Sequence, residues 1–138
     1  MSRVMGVDYG LKRIGLAMTD CLRITASPFE TIESVSLKKN AIKILEIAKS
    51  NKVSIIVFGL PINMNGTEGE MAETVRKVMD ETKTLSSDVG VTSVDERLTT
   101  TQAERMLIEE GNVSRQKRKG LKDKIAAALI LQTYLDTH

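Results

Sequence analysis

Histidine occurs once, as the terminal His138, cysteine once, as Cys21, and tryptophan not at all. One thiol forms no internal disulfide, and with no histidine near it in the chain it makes a poor nucleophile or metal site, so a reducing compartment is expected. A histidine at a chain end is badly placed to act as a base. Serine and cysteine hydrolase triads need a firmly held imidazole, and zinc sites usually need histidine or several cysteines. Both chemistries are therefore disfavoured. No apolar run approaches the length that spans a bilayer, so no membrane partner is expected. Met1-Ser2-Arg3 leads straight into a strand-like segment without the features of a signal peptide, so the expected location is cytoplasmic.

What is present suits one ordinary globular domain over residues 1–138, with 41% hydrophobic and 28% charged residues. Val4 to Val7 is an apolar run ending in Asp8-Tyr9-Gly10-Leu11-Lys12, and Arg13 to Thr19 then alternates with Ile14, Leu16 and Met18 on one face, which predicts a β-hairpin. A third strand is expected from Ile24 to Ile32, where Pro28 argues for an edge position or a bulge. Helical spacing of Ala41, Ile44, Leu45 and Ala48 predicts a helix from Leu37 to Asn51. Ile55-Ile56-Val57-Phe58 does not alternate, the pattern of a central strand covered on both faces. After a polar loop from Asn63 to Gly69, Met71, Val75, Val78 and Met79 predict a helix to about Thr84, and Val89 to Asp95 a strand. Capping-box spacing at Thr99–Gln102 or Thr101–Glu104 predicts a helix from near Thr100 to Glu110. A final helix is expected from about Leu121 to Leu135, with Leu121, Ile125, Ala128 and Leu129 in one stripe. The order is βββαβαβα, an α/β fold with a mixed five-stranded sheet flanked by helices and ligands at the carboxyl ends of its parallel strands.

Three carboxylates fall where that architecture puts a site. Asp8 closes the first strand, Glu96 closes the last, and Asp123 opens the final helix, on a face shared with Ala127, Ile130 and Tyr134. Ala126-Ala127-Ala128 would let that helix approach the sheet closely, and a helix N-terminus would favour the Asp123 carboxylate. Each acid also has a plainer reading: Asp8 as a turn former, Glu96 or its neighbour Asp95 as a solvated charge or a partner of Arg97, and Asp123 as a surface charge. Gly10 and Gly59 fit either tight backbone geometry or close approach of a phosphate. Converging carboxylates repel, and a hard divalent cation, Mg2+ or Mn2+, would resolve the conflict while activating water for phosphodiester hydrolysis.

Net charge is only +2, yet Arg115 to Lys124 holds six basic residues against one acidic, so positive charge is concentrated directly before Asp123. Cations there would steer a polyanion towards the carboxylates. Aromatic residues amount to only 3%, which leaves little for stacking on bases, so backbone contacts should dominate.

Val7-Asp8-Tyr9-Gly10, Gly59-Leu60-Pro61 with Asn63-Met64-Asn65-Gly66-Thr67, Asp95-Glu96-Arg97-Leu98-Thr99-Thr100, and Lys122-Asp123-Lys124-Ile125-Ala126-Ala127 together resemble the YqgF family, nearly end to end. The resemblance implies an RNase H-like fold related to the RuvC resolvases and a nuclease maturing the 5′ end of pre-16S ribosomal RNA. Carried over by motif, its acidic triad falls on Asp8, Glu96 and Asp123, as catalytic and metal-binding residues. Nucleic-acid contacts are expected at Gly10, Lys12, Arg97, Arg115, Lys117, Arg118 and Lys119. Lys122 and Lys124 depart from the apolar or small neighbours usual around the last aspartate. Two alternatives accompany this reading: Holliday junction resolution on branched DNA, which would call for a homodimer, and a non-catalytic nucleic-acid-binding module. An actin-like ATPase is disfavoured because 138 residues cannot build its two lobes.

Overall fold

Five strands form one sheet in the order β3-β2-β1-β4-β5. The computed structural model describes residues 2–96 and 115–138. Its elements are β1 (Arg3–Asp8), β2 (Arg13–Thr19), β3 (Ala26–Glu33), α1 (Leu37–Ser50), β4 (Val53–Leu60), α2 (Glu70–Leu85), β5 (Gly90–Asp95) and α3 (Arg115–Thr137). β1, β2 and β3 pair antiparallel, whereas β4 runs parallel to both β1 and β5. The sheet is thus mixed, as the sequence pattern predicts, with β1 at its centre and β4, the strand of Ile55 to Phe58, in an interior position beside it. The helix expected from Thr100 to Glu110, and Arg97, lie outside the described residues.

Side chains alternate across the sheet, so each strand feeds two cores. Met5, Val7, Ile14, Leu16, Ile56 and Phe58 pack with α1 and α2 on one face. Val4, Ala17 and Val57 pack with Ala127, Ala128, Ile130 and Leu131 of α3 on the other. This explains why Ile55-Ile56-Val57-Phe58 shows no alternation: β4 is covered on both sides. Pro28 takes both roles its missing N–H allows, since β3 is an edge strand and its register against β2 shifts between Leu16 and Ala17, leaving Phe29 as the extra residue. α1 starts at Ser36, whose hydroxyl accepts from the Lys39 amide at 3.3 Å.

The last helix departs from expectation. α3 begins at Arg115, not near Leu121, so the basic stretch is its opening turns rather than a preceding loop, and Asp123 lies two turns inside. The stabilisation expected for a carboxylate at a helix N-terminus therefore does not apply, because that effect fades beyond the first turn. Gly120 does not break the helix. The Thr31 hydroxyl of β3 donates to its carbonyl at 2.6 Å, and this tertiary contact helps hold a turn that local propensity alone would not favour.

α3 also crosses the sheet very closely, and glycine makes this possible. A Cβ on Gly6 would stand 2.6 Å from the Ala127 carbonyl oxygen, and one on Gly15 would overlap the Asp123 carbonyl outright. Both obstacles are helix backbone, which cannot rotate away. Gly15→Ala is expected to destabilise the protein by about 1–3 kcal/mol, the usual cost of overpacking a tight site; denaturant unfolding would measure this.

Candidate active site

Strand alternation puts Val4, Gly6 and Asp8 of β1 on the α3 side of the sheet, together with Arg13, Gly15 and Ala17 of β2, and Val57 and Gly59 of β4. Asp8 pairs with Gly15 across the antiparallel ladder, while Gly59 follows Phe58, the partner of Val7, on the parallel side. The central carboxylate is thus flanked by a glycine on each neighbouring strand, and both gaps are filled by parts of the candidate site. The Asp123 backbone covers Gly15, and the Glu96 carboxylate with the Ile130 side chain covers Gly59.

These neighbours leave an electrostatic signature. Asp8 is pushed up from 3.8 to about 6, chiefly by burial and then by the Asp123 charge, with Lys122 pulling the other way. Glu96 is pushed up from 4.5 to about 7 by burial, then by Asp8 and Asp95. Asp8 therefore lies within reach of both other acids. Of the adjacent pair after β5, Asp95 is exposed and Glu96 is partly buried beside Asp8, which answers the question that strand alternation leaves open.

Asp123 has a different surrounding. Its Oδ2 accepts from Arg13 Nε at 2.7 Å, and the two side chains are 20% and 39% exposed. Among the described residues no three histidine, cysteine, aspartate or glutamate side chains stand close enough together to hold a metal ion as placed. Asp8 interacts by charge with each of the other two acids, and Asp123 is in addition bound to the arginine.

The loop after Asp8 is anchored from beneath. Tyr9 points into the opposite core, where its hydroxyl accepts from Asn40 Nδ2 at 2.7 Å. Asn40 also donates to the Ser34 hydroxyl at 2.9 Å and accepts from the Val35 amide at 2.9 Å. One buried amide thus ties the end of β1 to α1. A Cβ at Gly10 would overlap the Arg13 carbonyl, so this glycine serves the closeness of the hairpin. Lys12 stands in the same hairpin and is exposed. Arg115, Lys117, Arg118 and Lys119 lie along the first turns of α3, on the helix that carries Asp123.

Arg13, Gly6 and Gly15 escape a reading by motif. Arg13 reads as the first residue of an alternating strand, and nothing local points it at a residue 110 positions away. The glycines do leave a signal, since glycine within a strand marks a close approach of backbone.

The mixed sheet, with antiparallel β1 to β3, parallel β1, β4 and β5, and an acid at the end of the central strand, defines an RNase H-like fold. Solved structures share it: Thermus thermophilus RuvC in complex with a Holliday junction substrate matches with a TM-score of 0.58 at 17% identity, over 99% of this chain and 96% of that one. The fowlpox virus resolvase with Holliday junction DNA matches with a TM-score of 0.60 at 11% identity, over 98% and 97%. Within that fold, the chain belongs to the RuvX (YqgF) family, described as Holliday junction resolvase, which matches residues 2–137. A relative in Endomicrobium trichonymphae, named "Putative pre-16S rRNA nuclease", is 74% identical over 136 residues, covering 99% of this chain and 96% of its own. One of the same name in Thermoanaerobacter pseudethanolicus is 44% identical over 135 residues, covering 98% and 96%. The family resemblance carried by the four motifs is thus borne out.

Proposed function

We propose that this chain is a divalent-cation-dependent nuclease that processes the 5′ end of pre-16S rRNA, with Asp8, Glu96 and Asp123 as its catalytic and metal-binding carboxylates. One observation carries the reading: Asp8, at the end of the central strand, has its pKa pushed to about 6 by burial first and then by the Asp123 charge, and its own charge adds to burial in raising that of Glu96. A protein gains no stability from gathering repelling carboxylates, whereas a cation among them turns the repulsion into affinity. The donors are all oxygens, which suits Mg2+ or Mn2+ rather than zinc. When bound, such a cation supplies Lewis-acid stabilisation of charge at the scissile phosphate.

The chain's own groups divide the remaining work. Asp8 sits at the end of the central strand and anchors the position of the site. Glu96, with its carboxylate over Gly59, holds a proton about half the time near pH 7 in the cation-free protein and must release it to act as a ligand. The basic turns of α3 draw the polyanion along the helix towards Asp123. Replacing Arg115, Lys117 and Arg118 together by Ala is expected to weaken binding and to reduce the slope of log K against log salt by roughly 2–3. A fluorescence titration at several salt concentrations checks this, and an unaltered slope would remove the stretch from the interface.

The substrate assignment draws on the relatives' shared name. The family's description favours a second reading, resolution of four-way junctions, which needs two symmetric sites and hence a homodimer. Side-by-side cleavage of a pre-16S fragment and a four-way junction, with mass measured in solution, separates the two. Binding of RNA with Mg2+ but no cleavage of either substrate would favour a non-catalytic module instead.

A further inference from the structure

Arg13 has an acidic residue directly across from it, since Glu33 is its partner on β3. Its guanidinium nevertheless turns across the α3 face and donates from Nε to Asp123 Oδ2 at 2.7 Å. Arg13 lies on the same strand face as Gly15, two residues on, so the charge it brings stands beside the row that holds Asp8. The side chain is 39% exposed, so this is no buried structural pair. A positive group there does what a cation would do: it balances the Asp123 charge at contact distance. Among the described residues no three such acids form a ready cluster, and one of the three candidates is the acid that this arginine engages.

We propose that Arg13 is a positioning residue that occupies the place of the cation at Asp123 and exchanges it for the substrate. In the cation-free protein its guanidinium neutralises Asp123. When Asp123 turns to a divalent cation, the freed guanidinium engages a phosphate oxygen of the nucleic acid entering the site, a contact for which a planar, permanently charged group is well suited. Cation and polyanion then assist one another: the cation releases the arginine that the phosphate needs, and the phosphate holds the arginine away from the carboxylate that the cation needs. Such coupling is reciprocal by thermodynamic necessity.

This inference rests on the nuclease reading of Asp8, Glu96 and Asp123, and its test separates the two. Mg2+ and Mn2+ affinities are measured by calorimetry for the wild type, Arg13→Gln, Arg13→Lys and Asp8→Asn, each with and without a single-stranded oligonucleotide whose backbone resists cleavage. The wild type should bind the cation at least about 5-fold more tightly in the presence of the oligonucleotide, at the lower end of ordinary coupling between sites. Arg13→Gln should bind the cation more tightly than the wild type when the oligonucleotide is absent, and most of the coupling should vanish. Arg13→Lys, which keeps the charge, should keep part of both effects, and it replaces Arg13→Gln should that variant fail to give a native circular dichroism spectrum. A purely structural arginine predicts the opposite sign, weaker cation binding in Arg13→Gln through a disturbed α3. Equal or weaker cation affinity with the coupling intact would overturn the proposal alone, provided that Asp8→Asn still loses the cation. If Asp8→Asn binds the cation as the wild type does, the carboxylate site itself falls, and Arg13's role with it.

Discussion

Asp8→Asn is expected to abolish cleavage while making the cation-free protein more stable at pH 8. The two effects have one origin. In the wild type the Asp8 carboxylate is ionised at pH 8 although burial and Asp123 push its pKa to about 6. An amide of the same shape carries no charge to desolvate and none to repel Asp123 or Glu96, so the folded state gains. The same change removes the donor at the centre of the site, and losing several kcal/mol of charge stabilisation at the phosphate lowers the rate by at least about 10^3-fold. Single-turnover cleavage and thermal melting in chelator measure the two. A variant that kept its activity would refute the site assignment, and one that lost both activity and stability would mean that Asp8 is a structural residue.

The second large effect is on the dependence of stability on pH. Asp8 and Glu96 have folded pKa values near 6 and 7, above their ordinary 3.8 and 4.5, so the folded protein holds protons that the unfolded chain has already released. Their contribution is most favourable below about pH 4, is lost as pH rises from there through 7, and stays at its minimum above that. At about 1.4 kcal/mol per pKa unit, and discounting the repulsion they share, the pair costs on the order of 3 kcal/mol at pH 8. Exposed acids whose pKa is lowered, such as Asp20 and Glu68, act in the opposite direction and lose their contribution in acid. The clean measure is therefore the difference in melting temperature between wild type and Asp8→Asn/Glu96→Gln, expected to widen between pH 5 and 8 by roughly 10 °C in chelator. Added Mg2+ should close most of that gap at pH 8 and little of it at pH 5, because ligation requires the ionised carboxylates. A gap that ignores both pH and Mg2+ would show that the acids neither repel nor bind.

Much of the fold was legible because its elements carry strong local patterns. Alternation in Arg13 to Thr19, helical spacing in Ala41 to Ala48 and Met71 to Met79, and the unbroken apolar run Ile55 to Phe58 each report how an element is buried, and burial is what periodicity encodes. Pro28 announced an edge by chemistry alone. The start of α3 was not legible, since the basic, glycine-containing stretch from Arg115 to Gly120 has no apolar stripe, and a contact from β3 is part of what holds it. The acids Asp8, Glu96 and Asp123 could be named because each stands at the end or on the inward face of a recognisable element. Their surroundings could not, because Arg13 and Asp123 are brought together only by α3 crossing the sheet.

The order of residues by itself determined most of the element types and the family, and it named the three carboxylates on which the proposed chemistry rests, because periodicity, turn residues and the scarcity of histidine and cysteine are local properties of the chain. Only the tertiary structure decided that glycines flank Asp8 on both sides, that Asp95 faces solvent while Glu96 turns in, and that an arginine holds Asp123. Those relations depend on strand order, register and the height of a helix above a sheet, which are set by packing among residues far apart in the chain.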